Sequence, residues 1–111
     1  MDRIEQYRER IQTLIRTYSE YTIIGNDAED QLIFDTERDH YQLVRNGWHD
    51  EHRVYGCVMH FDIKDGKIWI QYDGTDFDLA NKLVELGVPK EDIVLGFQPP
   101  YRRPYSRFGV N

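Results

Sequence analysis

The segment at 60 to 75, HFDIKDGKIWIQYDGT, gathers His60, Asp62, Asp65, Gln71 and Asp73. A histidine beside carboxylates is the material of acid–base catalysis or of a metal site. A metal could be held by His40, His60 and Asp62, or by His49 and His52 in GWHDEH. Neither set has a specific ligand spacing, and structural zinc usually takes four cysteine or histidine ligands, whereas this chain has one cysteine. Such histidines are commonly hydrogen-bonded surface groups, so no metal is expected. Asp62 and Asp73 could form an acid–base pair, but a flat sheet encloses no cleft in which one of their pKa values would rise. Cys57 alternates with Tyr55 and Met59, which directs it to the core as a small inert hydrophobe. Phosphate-binding glycine motifs and nucleophile elbows are absent from the sequence. The residues therefore point to no catalytic group and no cofactor.

The elements that would carry these side chains are more legible. Asp65-Gly66 is a strong signal for a two-residue hairpin turn, because both central positions need positive φ. That turn sets Ile63 opposite Ile68, Asp62 opposite Trp69, Phe61 opposite Ile70, His60 opposite Gln71 and Met59 opposite Tyr72. Strand alternation then assigns Met59, Phe61, Ile63, Ile68, Ile70 and Tyr72 to the core, and His60, Asp62, Trp69, Gln71 and Asp73 to the other face. An earlier hairpin, DQLIFD and HYQLVRNGW around Thr36 to Asp39, pairs Phe34 with Tyr41 and Leu32 with Leu43 on the core side. It leaves Ile33, Asp35, His40, Gln42 and Val44 outward. The composite outer face mixes apolar and polar groups, as an interaction surface does.

Residues 2 to 21 space Ile4, Tyr7, Ile11, Leu14, Ile15, Tyr18 and Tyr21 mostly three and four apart, the pattern of an amphipathic helix. The turn Gly25-Asn26-Asp27 ends it. A second helix is expected from Thr75, with an apolar stripe of Leu79, Ala80, Leu83, Val84 and Leu86 and Gly87 just beyond its C-terminus. Pro89 opens a short helical turn and IVLGF a brief strand. The tail PPYRRPYSRFGVN has three prolines and reads as an arm lying on the surface or on a partner.

At 111 residues the chain is expected to form one domain, 1 to 111, with residues 98 to 111 as the arm. It has no apolar run of the length a membrane span needs, and charges fill the N-terminus where a signal peptide is apolar, so the expected location is cytoplasmic. The net charge of −6 is uneven: residues 98 to 111 hold Arg102, Arg103 and Arg107 and no acid, leaving eleven basic and twenty acidic residues before them. An acidic body repels phosphate, so direct duplex DNA binding is not expected. The arm is expected to dock on protein through Tyr101, Arg102, Arg103, Tyr105 and Arg107, its arginines facing carboxylates.

Three stretches resemble the XisI family, the fdxN element excision controlling factors of cyanobacteria: QLIFDTERDHYQLVRNGW, RVYGCVMHFDIKDGKIWIQYDGT and LVELGVPKEDIVLGFQPPYRR. DTERDHYQL, KIWIQ followed by DGT, and GVPKEDIVLGF are the most specific parts. DFDLANKL and PYSRFGVN depart from the family pattern. The resemblance implies a part in programmed DNA-element excision during heterocyst differentiation, where a separate site-specific recombinase exchanges strands. It also implies a companion of the XisH type, an endonuclease-like protein. It carries over no catalytic residues.

The expected architecture is α+β: an antiparallel sheet of about four strands, a long N-terminal helix and a second helix on one face, and the arm. The expected function is a non-enzymatic accessory factor, with Ile33, His40, Gln42, Val44, His60, Asp62, Trp69, Gln71 and Asp73 facing a protein partner or a second copy. A small hydrolase or nuclease-like enzyme using His60 and Asp62, or a DNA-binding module using the arm, are the alternatives.

Overall fold

The expected helical stripe is the part of the sequence that organises the core. In the structure, a computed structural model that describes residues 2–21 and 27–111, helix α1 spans Arg3–Tyr21. It buries Tyr7, Ile11, Leu14, Ile15 and Tyr18, one side chain per turn on a single face. Tyr21 ends the helix exposed. Gly25 and Asn26 of the expected turn lie outside the described residues.

Four strands follow as a meander: β1 (Ala28–Asp35), β2 (His40–His49), β3 (His52–Lys64) and β4 (Lys67–Asp73). Phe34 pairs with Tyr41 and Leu32 with Leu43, as the alternation requires. At the tip of the β3–β4 hairpin Asp65 has φ 53° and Gly66 φ 78°, the two positive angles of the expected turn. A fifth strand, β5 (Ile93–Leu95), lies parallel to β4 and pairs Ile68 with Ile93 and Trp69 with Val94. The sheet is thus five-stranded and mixed, not four-stranded and antiparallel. Helix α2 (Leu79–Glu85) makes the crossover that a parallel neighbour needs.

Two bulges break the parity that the sequence alone suggests. Between β2 and β3, Leu43 pairs with Met59 but Val44 pairs with Cys57, so Val58 is the extra residue. Between β3 and β4, Phe61 pairs with Ile70 but His60 pairs with Tyr72, so Gln71 is extra. Each bulge reverses the facing of what lies beyond it. Tyr72, expected in the core, is 49% exposed, and Cys57, also expected there, is exposed while Val58 packs on the core. Asp73 turns away from the outer face to organise the β4–α2 loop: Oδ1 accepts hydrogen bonds from the Thr75 amide and hydroxyl, and Oδ2 from the Leu79 amide.

That engagement of Thr75 is why α2 starts later than expected. Its N-cap is Asp78, at φ 54°, with Oδ1 accepting from the Asn81 amide. Phe77, in the intervening loop, packs edge-on against Tyr18 at 4.9 Å. The end of α2 follows expectation: Gly87 N–H donates to the Val84 carbonyl and Val88 N–H to that of Leu83, a Schellman closure. Core burial is continuous across both helices and the inner sheet face, with Ile11, Ile15, Tyr41, Leu43, Met59, Phe61, Ile68, Leu79, Leu83 and Ile93 fully buried.

Polar ties lock α1 onto this core. Asp39 accepts from Arg8 Nε at 2.7 Å and from the Tyr41 hydroxyl at 2.8 Å, while its carbonyl accepts from Ile63 N–H on β3. The Tyr7 hydroxyl donates to Asp92, and burial together with that carboxylate pushes the Tyr7 pKa up to about 12. Arg10 Nε donates to the carbonyl of Leu86 at the end of α2.

Two expectations follow. Phe61→Ala, which empties a fully buried site, should cost roughly 3–5 kcal/mol in a denaturant titration; a loss within error would contradict the register. For Asp39, burial raises the pKa, but hydrogen bonds from Arg8 and Tyr41 and the Arg8 charge outweigh it, leaving the carboxyl below the usual range. Since the folded value lies below the unfolded one, the ionised group stabilises the fold above about pH 4, and this is lost as pH falls through the folded value. Asp39→Asn should lower stability at neutral pH and flatten the acid limb of a stability–pH curve. Superimposable curves for the two proteins would remove that role.

Candidate functional site

On the outer sheet face the strand register brings together side chains distant in sequence. His40 pairs with Asp62 and Gln42 with His60 across β2 and β3. Asp62 is the centre: its Oδ1 lies 2.8 Å from His40 Nδ1 and 2.8 Å from His60 Nε2, and its Oδ2 accepts from Gln71 Nε2 at 3.1 Å. Gln42 Nε2 approaches His60 Nδ1 at 3.4 Å. The Asp62 side chain is 17% exposed and that of His40 54%, so the cluster is rooted in the sheet and opens to solvent on the His40 side. Burial pushes the Asp62 carboxyl up, but hydrogen bonds from His40 and His60 more than offset it and hold the pKa below the ordinary carboxylate value. The hydrogen bond to Asp62 in turn raises the pKa of His40. Gln71 reaches Asp62 from the bulge in β4.

Of the other outward residues, Ile33 lies opposite Gln42 and is 47% exposed, and half-buried Val44 sits between Gln31 and Cys57. The Cys57 thiol donates to the Met59 carbonyl at 3.2 Å, and desolvation pushes its pKa up, which keeps it protonated near neutrality. Asp73 is spent on the loop described above and does not join the cluster.

Trp69 corrects the expected surface most. It lies on the outer face beside Val94, yet it is only 8% exposed. The cover is the arm: after β5 the chain forms a 3-10 helix at Pro100–Tyr105 and returns beside β5, where Gly109 N–H donates to the Ile93 carbonyl. Arg103 stacks over the Trp69 ring at 5.1 Å, and Lys64 Nζ lies 4.5 Å from the same ring. Lys67 Nζ donates to the carbonyl of Asn111 at the end of the arm. The arm thus docks on its own sheet, through an aromatic face rather than carboxylates. Among the described residues no carboxylate is within ion-pair reach of Arg102, Arg103 or Arg107. Tyr101 and Tyr105 stay exposed and line a cleft of about 470 Å³ with Gln98, Arg102 and Ser106.

Sequence reasoning missed the far end of the β2–β3 hairpin. There Arg53 stacks on Trp48 and Tyr55, both largely exposed. The available signal was the length of β3, which outruns β4 and projects this end beyond the sheet.

The model of the XisI protein family matches residues 1–110. The chain belongs to the XisI family. Among solved structures, a XisI-like protein from Anabaena variabilis is 49% identical, with TM-score 0.92, over 99% of this chain and 100% of that one. The fdxN element excision controlling factor XisI from Anabaena variabilis is 32% identical, with TM-score 0.84 and the same coverage. No curated protein matches the chain significantly. The XisI fold is therefore shared over essentially the whole length, arm included.

Because Trp69 is buried under the arm, Trp69→Ala should lower stability by roughly 3–5 kcal/mol, as large-to-small changes at buried sites do. It should also speed tryptic cleavage after Arg102 as the arm loses its seat. An unchanged thermal midpoint together with unchanged cleavage would return Trp69 to the exposed surface.

Proposed function

We propose that this XisI-family protein is a non-enzymatic accessory factor in DNA-element excision or a related DNA-processing system, acting by binding a protein partner. The observation that carries this reading is the uncovered part of the outer sheet face, where exposed Ile33 and half-buried Val44 flank His40, Gln42, His60 and Gln71. Apolar groups set among polar ones on an accessible face suit a recognition surface. The chain's similarity to the fdxN element excision controlling factor XisI from Anabaena variabilis supports the biological setting. The XisH-like endonuclease-type protein is the partner that the family resemblance implies. The acidic balance of the chain disfavours a phosphate backbone as the primary partner.

Coexpression with the XisH-like protein of the same genome, followed by size-exclusion chromatography, tests this. A complex is expected that Ile33→Asp disrupts and that Glu9→Ala, on the exposed face of α1, leaves intact. Absence of a complex, or nuclease activity of the isolated protein that His60→Ala abolishes, would overturn the reading.

A further inference from the structure

His40, His60 and Asp62 each offer a ligand atom within 4.8 Å of the others, the one convergence of three such donors among the described residues, and His40 Nδ1 and His60 Nε2 both meet Asp62 Oδ1. We infer that these three atoms form a binding site for a borderline divalent cation of the Zn²⁺ class, with one coordination position open to solvent. This goes beyond the accessory-factor reading and does not depend on it.

Placement is the first argument. All three donors stand on paired strands: His60 and Asp62 share one face of β3, and His40 lies directly across from Asp62 on β2. Donors fixed by a sheet lose little conformational entropy when an ion arrives. Zinc sits about 2.0–2.2 Å from imidazole nitrogen and carboxylate oxygen, which places neighbouring donors roughly 3.3 Å apart. The two imidazoles lie 2.8 Å from Asp62 Oδ1 and their ligand atoms lie within 4.8 Å of each other, so an entering ion parts each imidazole from that oxygen by about half an ångström and draws the two imidazoles together.

The surrounding groups are the second argument. Ligating carboxylates and imidazoles are normally held by outer hydrogen bonds that aim the ligand atom at the metal. Here Gln71 occupies Asp62 Oδ2 and leaves Oδ1 to the donors. Gln42 stands at the rear nitrogen of His60; with its amide turned so that the oxygen accepts from Nδ1–H, the Nε2 lone pair is presented inward. Gln71 is itself given room by Gly96, where a Cβ would stand 2.5 Å from Gln71 Oε1.

The donor set decides the ion. Two imidazoles and one carboxylate suit zinc, cobalt or nickel, whereas magnesium and calcium prefer oxygen ligands. Three protein ligands leave a fourth position of a tetrahedral ion free, and the half-exposed side of His40 leads to it. Without an ion, two neutral imidazoles donating to one carboxylate give the same contacts, so binding itself must be measured.

Untagged protein, freed of metal by chelation, is titrated with Zn²⁺ by calorimetry and with Co²⁺ by visible absorption. One equivalent per chain is expected, in the micromolar range or tighter, with Co²⁺ bands of tetrahedral type. His40→Ala and Asp62→Asn should each weaken binding by at least about tenfold, and the double variant His49→Ala, His52→Ala should bind as the wild type does. His40→Ala removes a largely exposed side chain, and circular dichroism verifies that each variant is folded. No saturable binding by the wild type, or binding that survives His40→Ala and Asp62→Asn, would overturn the assignment.

Discussion

A sheet has two faces, and this chain has only one layer of helix with which to cover them. Helices α1 and α2 both pack on the inner face, against Tyr41, Leu43, Phe61 and Ile70. Burial of apolar area is the dominant favourable term in folding, so the inner face determines register along the whole meander. The outer face is then left with whatever the alternation delivers to it. Near β5 it receives Trp69 and Val94, which are too apolar to leave in water, and the arm covers them. Near β2 it receives histidine, glutamine and aspartate, which can remain partly solvated. The division between a closed half and an open half of this face follows from that difference.

The bulges refine the division. Val58, extra in β3, has its carbonyl taken up by Gly74 N–H just beyond the end of β4. The combined effect of the bulges is to release Asp73 to organise the approach to α2 and to turn Tyr72 and Cys57 outward, while Gln71 stays on the outer face beside Asp62. Bulges commonly occur near functional positions, and here the extra residue of β4, Gln71, completes the hydrogen bonding of Asp62. Asp39 works in the same economical way at the other end of the cluster: it anchors α1 through Arg8 while its neighbour His40 points outward to Asp62.

The XisI family match spans this whole arrangement, residues 1–110. The arm covers its own sheet through Arg103 and Trp69. Its role in the monomer is partly structural, since it shields the edge of β5, a strand that would otherwise offer unpaired backbone groups. Tyr101, Arg102 and Tyr105 remain outside that contact, on the surface of the cleft they line. Among the described residues no helix is long and apolar enough to cross a membrane.

The sequence alone determined what depends on local periodicity and turn chemistry. The α1 stripe is a repeat of three and four, the Asp65-Gly66 turn is dictated by positive φ, and the β1–β2 register follows from counting back from Phe34 and Tyr41. The pairing of His40 with Asp62 was not contained in those registers, because it rests on the β2–β3 register and on the Val58 bulge that shifts it by one residue. The tertiary structure decided what depends on competition between distant segments. Whether β5 runs parallel depends on the α2 crossover, and whether Trp69 is a surface or a buried residue depends on an arm that returns from the far end of the chain. The bulges at Val58 and Gln71 relieve a conflict between the core-facing and outward-facing demands of β2, β3 and β4 taken together. No window of local sequence contains that conflict, so its resolution, and with it the facing of Cys57, Tyr72 and Asp73, appears only when the strands are assembled.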